Sequence, residues 1–122
     1  MEQAFHDGWT SLRDKQFRTA AGAFARAARV DPDAPLAEDA RYWLAVARAR
    51  AGQTRRAAAA MRDFLSRYPF SDRAGEVSVM LAWIELRAGD RDPAESHFRA
   101  AIDDDRADVR ASARAGLDAL AR

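Results

Sequence analysis

The residues that could carry out chemistry in this chain are few and widely spread. His6 and His97 are the only histidines, there is no cysteine, and Asp103, Asp104 and Asp105 form the densest run of carboxylates. Two histidines can hold a metal or relay a proton only when both rings reach one point. Here they fall on different helices, in the first and third segments of a repeat described below, so each reads as an ordinary surface or half-buried residue. The aspartate run lacks the spaced oxygen ligands and the glycine of a calcium loop, and it lies where a helix ends. It reads as a solvated turn. Glycine-rich phosphate loops and a Gly-x-Ser-x-Gly nucleophile elbow are absent. We therefore expect no catalytic residues, no metal site and no cofactor.

Large apolar residues carry more information. Phe5, Trp9 and Leu12 form one trio, Tyr42, Val46 and Ala49 a second, and Val79, Trp83 and Leu86 a third. Each has the spacing i, i+4, i+7, which gathers three side chains on one helical face. Beside them recur Arg13, Arg50 and Arg87. Two tryptophans and a tyrosine aligned in this way suit a docking surface, because aromatic rings bury large areas and freeze few rotors. On the third helix a separate stripe, Val77, Leu81, Ile84 and Ala88, supplies core packing, which makes the Val79–Trp83–Leu86 stripe surplus to folding. The competing reading is that these rings are core, packed against each other or a neighbouring helix. The arginines likewise have two readings: they pair with carboxylates of a partner, or they complement the negative end of a helix dipole.

These residues are held by a repeat. Ala20, Ala57 and Ala94 recur every 37 residues, as do Phe24, Met61 and Phe98, and Gly8, Ala45 and Ala82. Gly52 and Gly89 keep the same period, with Lys15 in the corresponding first slot. Each period reads as two helices: Glu2 to Asp14 and Phe17 to Val30; Leu36 to Ala51 and Thr54 to Arg67; then a Ser71/Asp72 cap running to Ala88, and a last helix opened by Asp92 as N-cap with Pro93 at its first position. A seventh helix, Ala107 to Ala121, carries Val109, Ala113, Leu117 and Leu120 on one stripe that would cover the end of the stack. Alanine accounts for 30 of the 122 residues and arginine for 19, both strong helix formers. The small residues at the 20, 57 and 94 slots let helix axes approach closely.

At these positions the chain resembles the tetratricopeptide repeat family. The likeness rests on Gly8, Phe17, Ala20, Phe24, Ala27 and Pro32, repeated as Ala45, Gly52, Ala57, Met61 and Pro69, and as Ala82, Gly89, Ala94, Phe98 and Ala101. The 37-residue period exceeds the family's usual length and is similar to its longer-repeat branch, which includes a Tol–Pal-associated cell-division coordinator and an outer-membrane assembly lipoprotein. Thr54 and Arg91 depart from the aromatic expected in the Phe17 slot, and Arg106 from the third proline. The resemblance implies an all-α fold, a right-handed superhelical solenoid of three helix pairs plus a C-terminal capping helix. The expected domain is single, 1–122, with repeats at about 2–35, 36–70 and 71–106 and the capping helix at about 107–121.

The net charge of +1 leaves no excess for a generic polyanion surface. Arg55, Arg56, Arg62 and Arg67 make one helix basic, without aromatic interleaving or a compact patch, so no nucleic-acid partner is expected. No apolar run is long enough to span a membrane. The functional expectation is a non-enzymatic scaffold whose concave groove binds a partner peptide or helix through Phe5, Trp9, Leu12, Arg13, Tyr42, Val46, Arg50, Val79, Trp83, Leu86 and Arg87. The alternative is a homo-oligomerisation module, with the groove or terminal helix engaged by another copy. The resemblance implies a periplasmic or envelope location, while the residues themselves leave the compartment open.

Overall fold

The computed structural model describes residues 1–122. Its regular elements are all helical: α1 (Glu2–Arg13), α2 (Phe17–Val30), α3 (Pro35–Arg50), α4 (Thr54–Arg67), α5 (Ala74–Arg87), α6 (Arg91–Ala100) and α7 (Ala107–Ala121). The protein is all-α, as its composition and period predict. Its backbone gathers into two compact units, Met1–Phe64 and Leu65–Arg122.

Three of the turns are copies of one another. The N–H groups of Gln16, Gln53 and Asp90 donate to the carbonyls of Ser11, Arg48 and Glu85 at 2.8, 2.9 and 2.8 Å, and those of Lys15, Gly52 and Gly89 donate to Leu12, Ala49 and Leu86 at 3.1 Å each. This double bond pattern is a Schellman turn, which satisfies carbonyls that a helix end leaves open. Its geometry demands a left-handed residue, found at Lys15, Gly52 and Gly89 with φ of 59°, 76° and 86°. Glycine enters that region freely, whereas a side chain crowds the next carbonyl. Lys15 therefore carries strain that the two glycines avoid.

Three helix starts differ from expectation, the first being α3, which opens at Pro35 rather than Leu36 with proline in its first turn. α5 begins at Ala74 behind Arg73, because Ser71 Oγ accepts a hydrogen bond from the Arg73 N–H at 3.1 Å and closes a local turn instead of capping the helix. α6 starts after Asp90, so Asp92 and Pro93 are its second and third residues. Pro93 still lies in the first turn, where its missing N–H leaves no helical bond unmade, and Asp92 there faces the positive end of the dipole.

In the first unit α1 packs on α2, and α2 on α3. Phe24 is fully buried beneath Gly8, where a Cβ would come within 2.7 Å of the ring. Phe5 and Trp9 meet that ring edge-on, at 5.6 and 6.4 Å between centroids. Trp9 continues to Trp43 at 4.4 Å, and Tyr42 joins Trp43 at 5.0 Å and Phe64 at 6.3 Å. One aromatic chain thus links α1 to α4.

The second unit repeats the device with α5, α6 and α7. Phe98 is fully buried, meets Trp83 edge-on at 5.0 Å, and lies so close to Gly116 of α7 that a Cβ there would overlap the ring. Trp83 Nε1 donates to Ser112 Oγ at 2.9 Å. Val109, Ala113, Leu117 and Leu120 of α7 complete this cluster, so the terminal helix docks through the stripe its sequence presents. Arg91 donates to the Leu120 carbonyl at the end of α7, which gives a role to one departure from the repeat pattern. Arg106 explains another: its N–H donates to Asp104 Oδ2 at 3.0 Å, a bond proline cannot make. Asp104 itself packs against Gly75, so the aspartate run is a structured turn rather than a wholly solvated one.

Four stability outcomes follow, each measurable by urea or thermal unfolding. Lys15→Gly relieves left-handed strain and is expected to stabilise the protein by about 0.5–1 kcal/mol, whereas Gly89→Ala introduces it and should destabilise by about 1 kcal/mol. Gly116→Ala forces the buried Phe98 ring to move and is expected to cost about 1–3 kcal/mol. Trp83→Ala removes a packed ring and a hydrogen-bond donor, with an expected loss of at least about 2 kcal/mol.

Candidate functional site

The stripes read from the sequence meet different fates. Leu12, Tyr42 and Val46 are buried, at 6%, 7% and 8% exposure, so packing consumes their surface. Val79 is buried at 6%, and Trp83 and Leu86 are half-buried in the α5–α6–α7 cluster. The Val79–Trp83–Leu86 stripe is therefore not surplus to folding: α7 covers it. The other α5 stripe is shorter than expected, with Val77 and Leu81 fully buried, Ile84 half-buried and Ala88 exposed. α5 thus buries side chains on more than one face.

Phe5 and Trp9 differ. Their inner edges pack on Phe24, and the remainder of each half-buried ring lines an open groove of about 600 Å³ along α1. Glu2, His6, Arg13 and Leu36 complete its lining. The apolar floor is framed by an acid at the start of α1 and a base at its end. Glu2 and Arg13 lie roughly 16 Å apart along the helix axis at the standard rise per residue. Arg13, Arg50 and Arg87 are each exposed at the last helical position before a Schellman turn, where a cation complements the helix dipole. Of the three, Arg13 lines the groove.

The histidines stay apart in role. His6 is exposed at the groove, while His97 Nδ1 lies 2.6 Å from Glu85 Oε1, joining α6 to a carboxylate only 2% exposed on α5. That pair gives the buried glutamate the partner it needs. No three histidine, aspartate or glutamate side chains converge as a metal site would require.

Sequence reasoning missed a second feature of the first unit. Arg18, Arg26 and Arg29 of α2, Arg48 of α3 and Arg56 of α4 surround a pocket of about 360 Å³, with Ala21, Gly22, Ala25 and Gln53 as its remaining lining. The compact basic patch not found along α4 exists across three helices. Burial, with the neighbouring Arg56 charge adding to it, holds the Arg48 guanidinium below its ordinary pKa. The available signal was on α2, where Arg18, Gly22, Arg26 and Arg29 share the helical face opposite Phe24.

No individual curated protein matches this chain. Residues 1–115 match the family described as outer membrane lipoprotein, YfiO. That span takes in the first six helices and residues 107–115 of α7, including both the groove and the arginine pocket. With a tetratricopeptide-like period of 37 residues and helix pairs closed by identical turns, the chain belongs to the YfiO outer membrane lipoprotein family.

Proposed function

We propose that this protein is a non-enzymatic interaction scaffold of the cell envelope, and that its α1 groove receives an extended or helical segment of a protein partner. Membership of a family of outer membrane lipoproteins supports the envelope location and an interaction role. The observation that carries the groove reading is the pair of half-buried rings, Phe5 and Trp9, open to a groove with Arg13 at one end and Glu2 at the other. Rigid aromatic rings already fixed by Phe24 lose little entropy when covered, which suits them as anchors. The charged ends set direction. A segment with an apolar anchor, a carboxylate towards Arg13 and a cation towards Glu2 meets all three features.

Homo-oligomerisation through exchange of the terminal helix has less support, since Val109 and Ala113 of α7 are buried within their own unit. A second copy filling the α1 groove would give concentration-dependent mass in light scattering, with Arg13→Glu abolishing it.

Selection of displayed peptides on the immobilised protein tests the proposal. Sequences pairing an apolar anchor with an acidic residue are expected to be enriched. Arg13→Glu, at an exposed position, should weaken the enriched peptides at least about tenfold, a change of about 1.4 kcal/mol, while the loss of its helix-end cation lowers the melting temperature by only a few degrees and leaves the protein folded. Peptide binding should also change tryptophan emission through Trp9. Peptides that bind equally well to Arg13→Glu and leave the emission unaltered would refute the groove reading.

A further inference from the structure

We propose that the pocket framed by Arg18, Arg26, Arg29, Arg48 and Arg56 is a binding site for a compact, multiply charged oxyanion of the phosphate class. The case begins with local charge. The whole chain is close to neutral at +1, yet these five arginines line one pocket with no acidic side chain among its lining residues. None of the five is paired with a carboxylate; the one hydrogen bond among their guanidinium groups runs from Arg48 Nη1 to the Arg56 carbonyl at 3.3 Å. Elsewhere the protein pairs its charges, as in Arg99–Glu95, Arg106–Glu76 and Arg41–Asp63. Five like charges gathered without counter-charge repel one another, and a polyanion removes that repulsion on binding.

Shape selects the ligand further. Between the arginines the α2 part of the lining is Ala21, Gly22 and Ala25, small residues that let a ligand approach the α2 backbone closely. Gly22 is exposed, and its nearest outside neighbour to an added Cβ is Arg26 Nη1 at 3.6 Å, so the Arg26 guanidinium folds back over this stretch. The rim is arginine rather than lysine, and planar guanidinium forks grip oxyanions in bidentate fashion. A volume of about 360 Å³ fits a small anion or a headgroup better than a long acidic segment. Arg48, half-buried beside Arg56, adds a point where a bound anion is partly shielded from water.

The shared chemistry is phosphate, and its source is either a soluble phosphate or the headgroup of an anionic lipid. The test titrates the folded chain with sodium pyrophosphate at constant ionic strength, followed by arginine Nε–H resonances and melting temperature. Saturable shifts and a rise in melting temperature are expected. Gly22→Glu places a carboxylate in the pocket lining, has room for its Cβ and improves helix propensity, so it should fold normally yet weaken pyrophosphate binding at least tenfold. Arg26→Gln with Arg29→Gln, at exposed positions, should give a similar loss. Ala115→Glu, which makes the same charge change on α7 outside the pocket, should bind as the parent does.

Co-sedimentation with phosphatidylglycerol vesicles, compared with phosphatidylcholine vesicles, separates the sources. Capture lost in Gly22→Glu identifies a lipid headgroup, and pyrophosphate binding without capture identifies a soluble phosphate. Binding that is non-saturable, or equal in Gly22→Glu and the parent, overturns the proposal. So does capture by polyglutamate with no response to pyrophosphate, which would assign the pocket to an acidic protein.

Discussion

The structure depends on the close approach of an aromatic ring to a helix that lacks a Cβ at the point of contact. Phe24 meets Gly8, and Phe98 meets Gly116, in both cases too near for an alanine to fit without movement. Such contacts hold helix axes towards the short end of the usual range and leave neighbouring side chains no freedom to drift. The same contact has different consequences in the two units. Around Phe24, the rings of Phe5 and Trp9 lean inward by one edge and keep the other towards the α1 groove. Around Phe98, the Trp83 ring is held by Ser112 of α7 and its stripe is covered.

That contrast shows what a linear pattern can carry. A period of 37 residues predicts identical turns, and it places Lys15 in register with Gly52 and Gly89 although lysine is a poor left-handed residue. All three adopt positive φ with matching hydrogen bonds. Periodicity succeeds here because a turn is local, fixed by a few consecutive residues. It is less informative about whether the second apolar stripe on α5 stays exposed, because the answer lies in α7, a helix outside the three-period pattern. The stripe on α7 was readable, and so was its covering role; which α5 face it would cover was not. Cap positions slipped for a related reason. Ser71 has the right chemistry to cap a helix, but its hydroxyl is engaged by Arg73 in a tighter turn before the helix begins.

Charge was harder to read than hydrophobicity. Counted along the chain, basic and acidic residues nearly cancel, and α4 alone presents arginines in an order that suggests nothing compact. The balance differs between the two halves of the chain. Met1–Phe64 holds 11 basic and 8 acidic residues, and Leu65–Arg122 holds 9 and 11, so the first unit is positive and the second negative. Within the first unit, α2, α3 and α4 bring together arginines as distant in sequence as Arg18 and Arg56. Helix periodicity reports only neighbours three or four residues apart, so of a cluster assembled from three helices only the α2 arginines leave a linear signature.

The two candidate surfaces of the first unit share α2 but use opposite faces of it. Phe24, on the buried face, anchors the rings that floor the α1 groove, while Arg18, Gly22, Arg26 and Arg29 line the pocket on the exposed face. None of the residues lining one lines the other. An occupant of the groove therefore leaves the arginines free, and an anion in the pocket leaves the aromatic rings uncovered. Coupling between them would have to pass through the packing of Phe24, which is fully buried against Gly8. That geometry predicts independent occupancy of the two proposed sites.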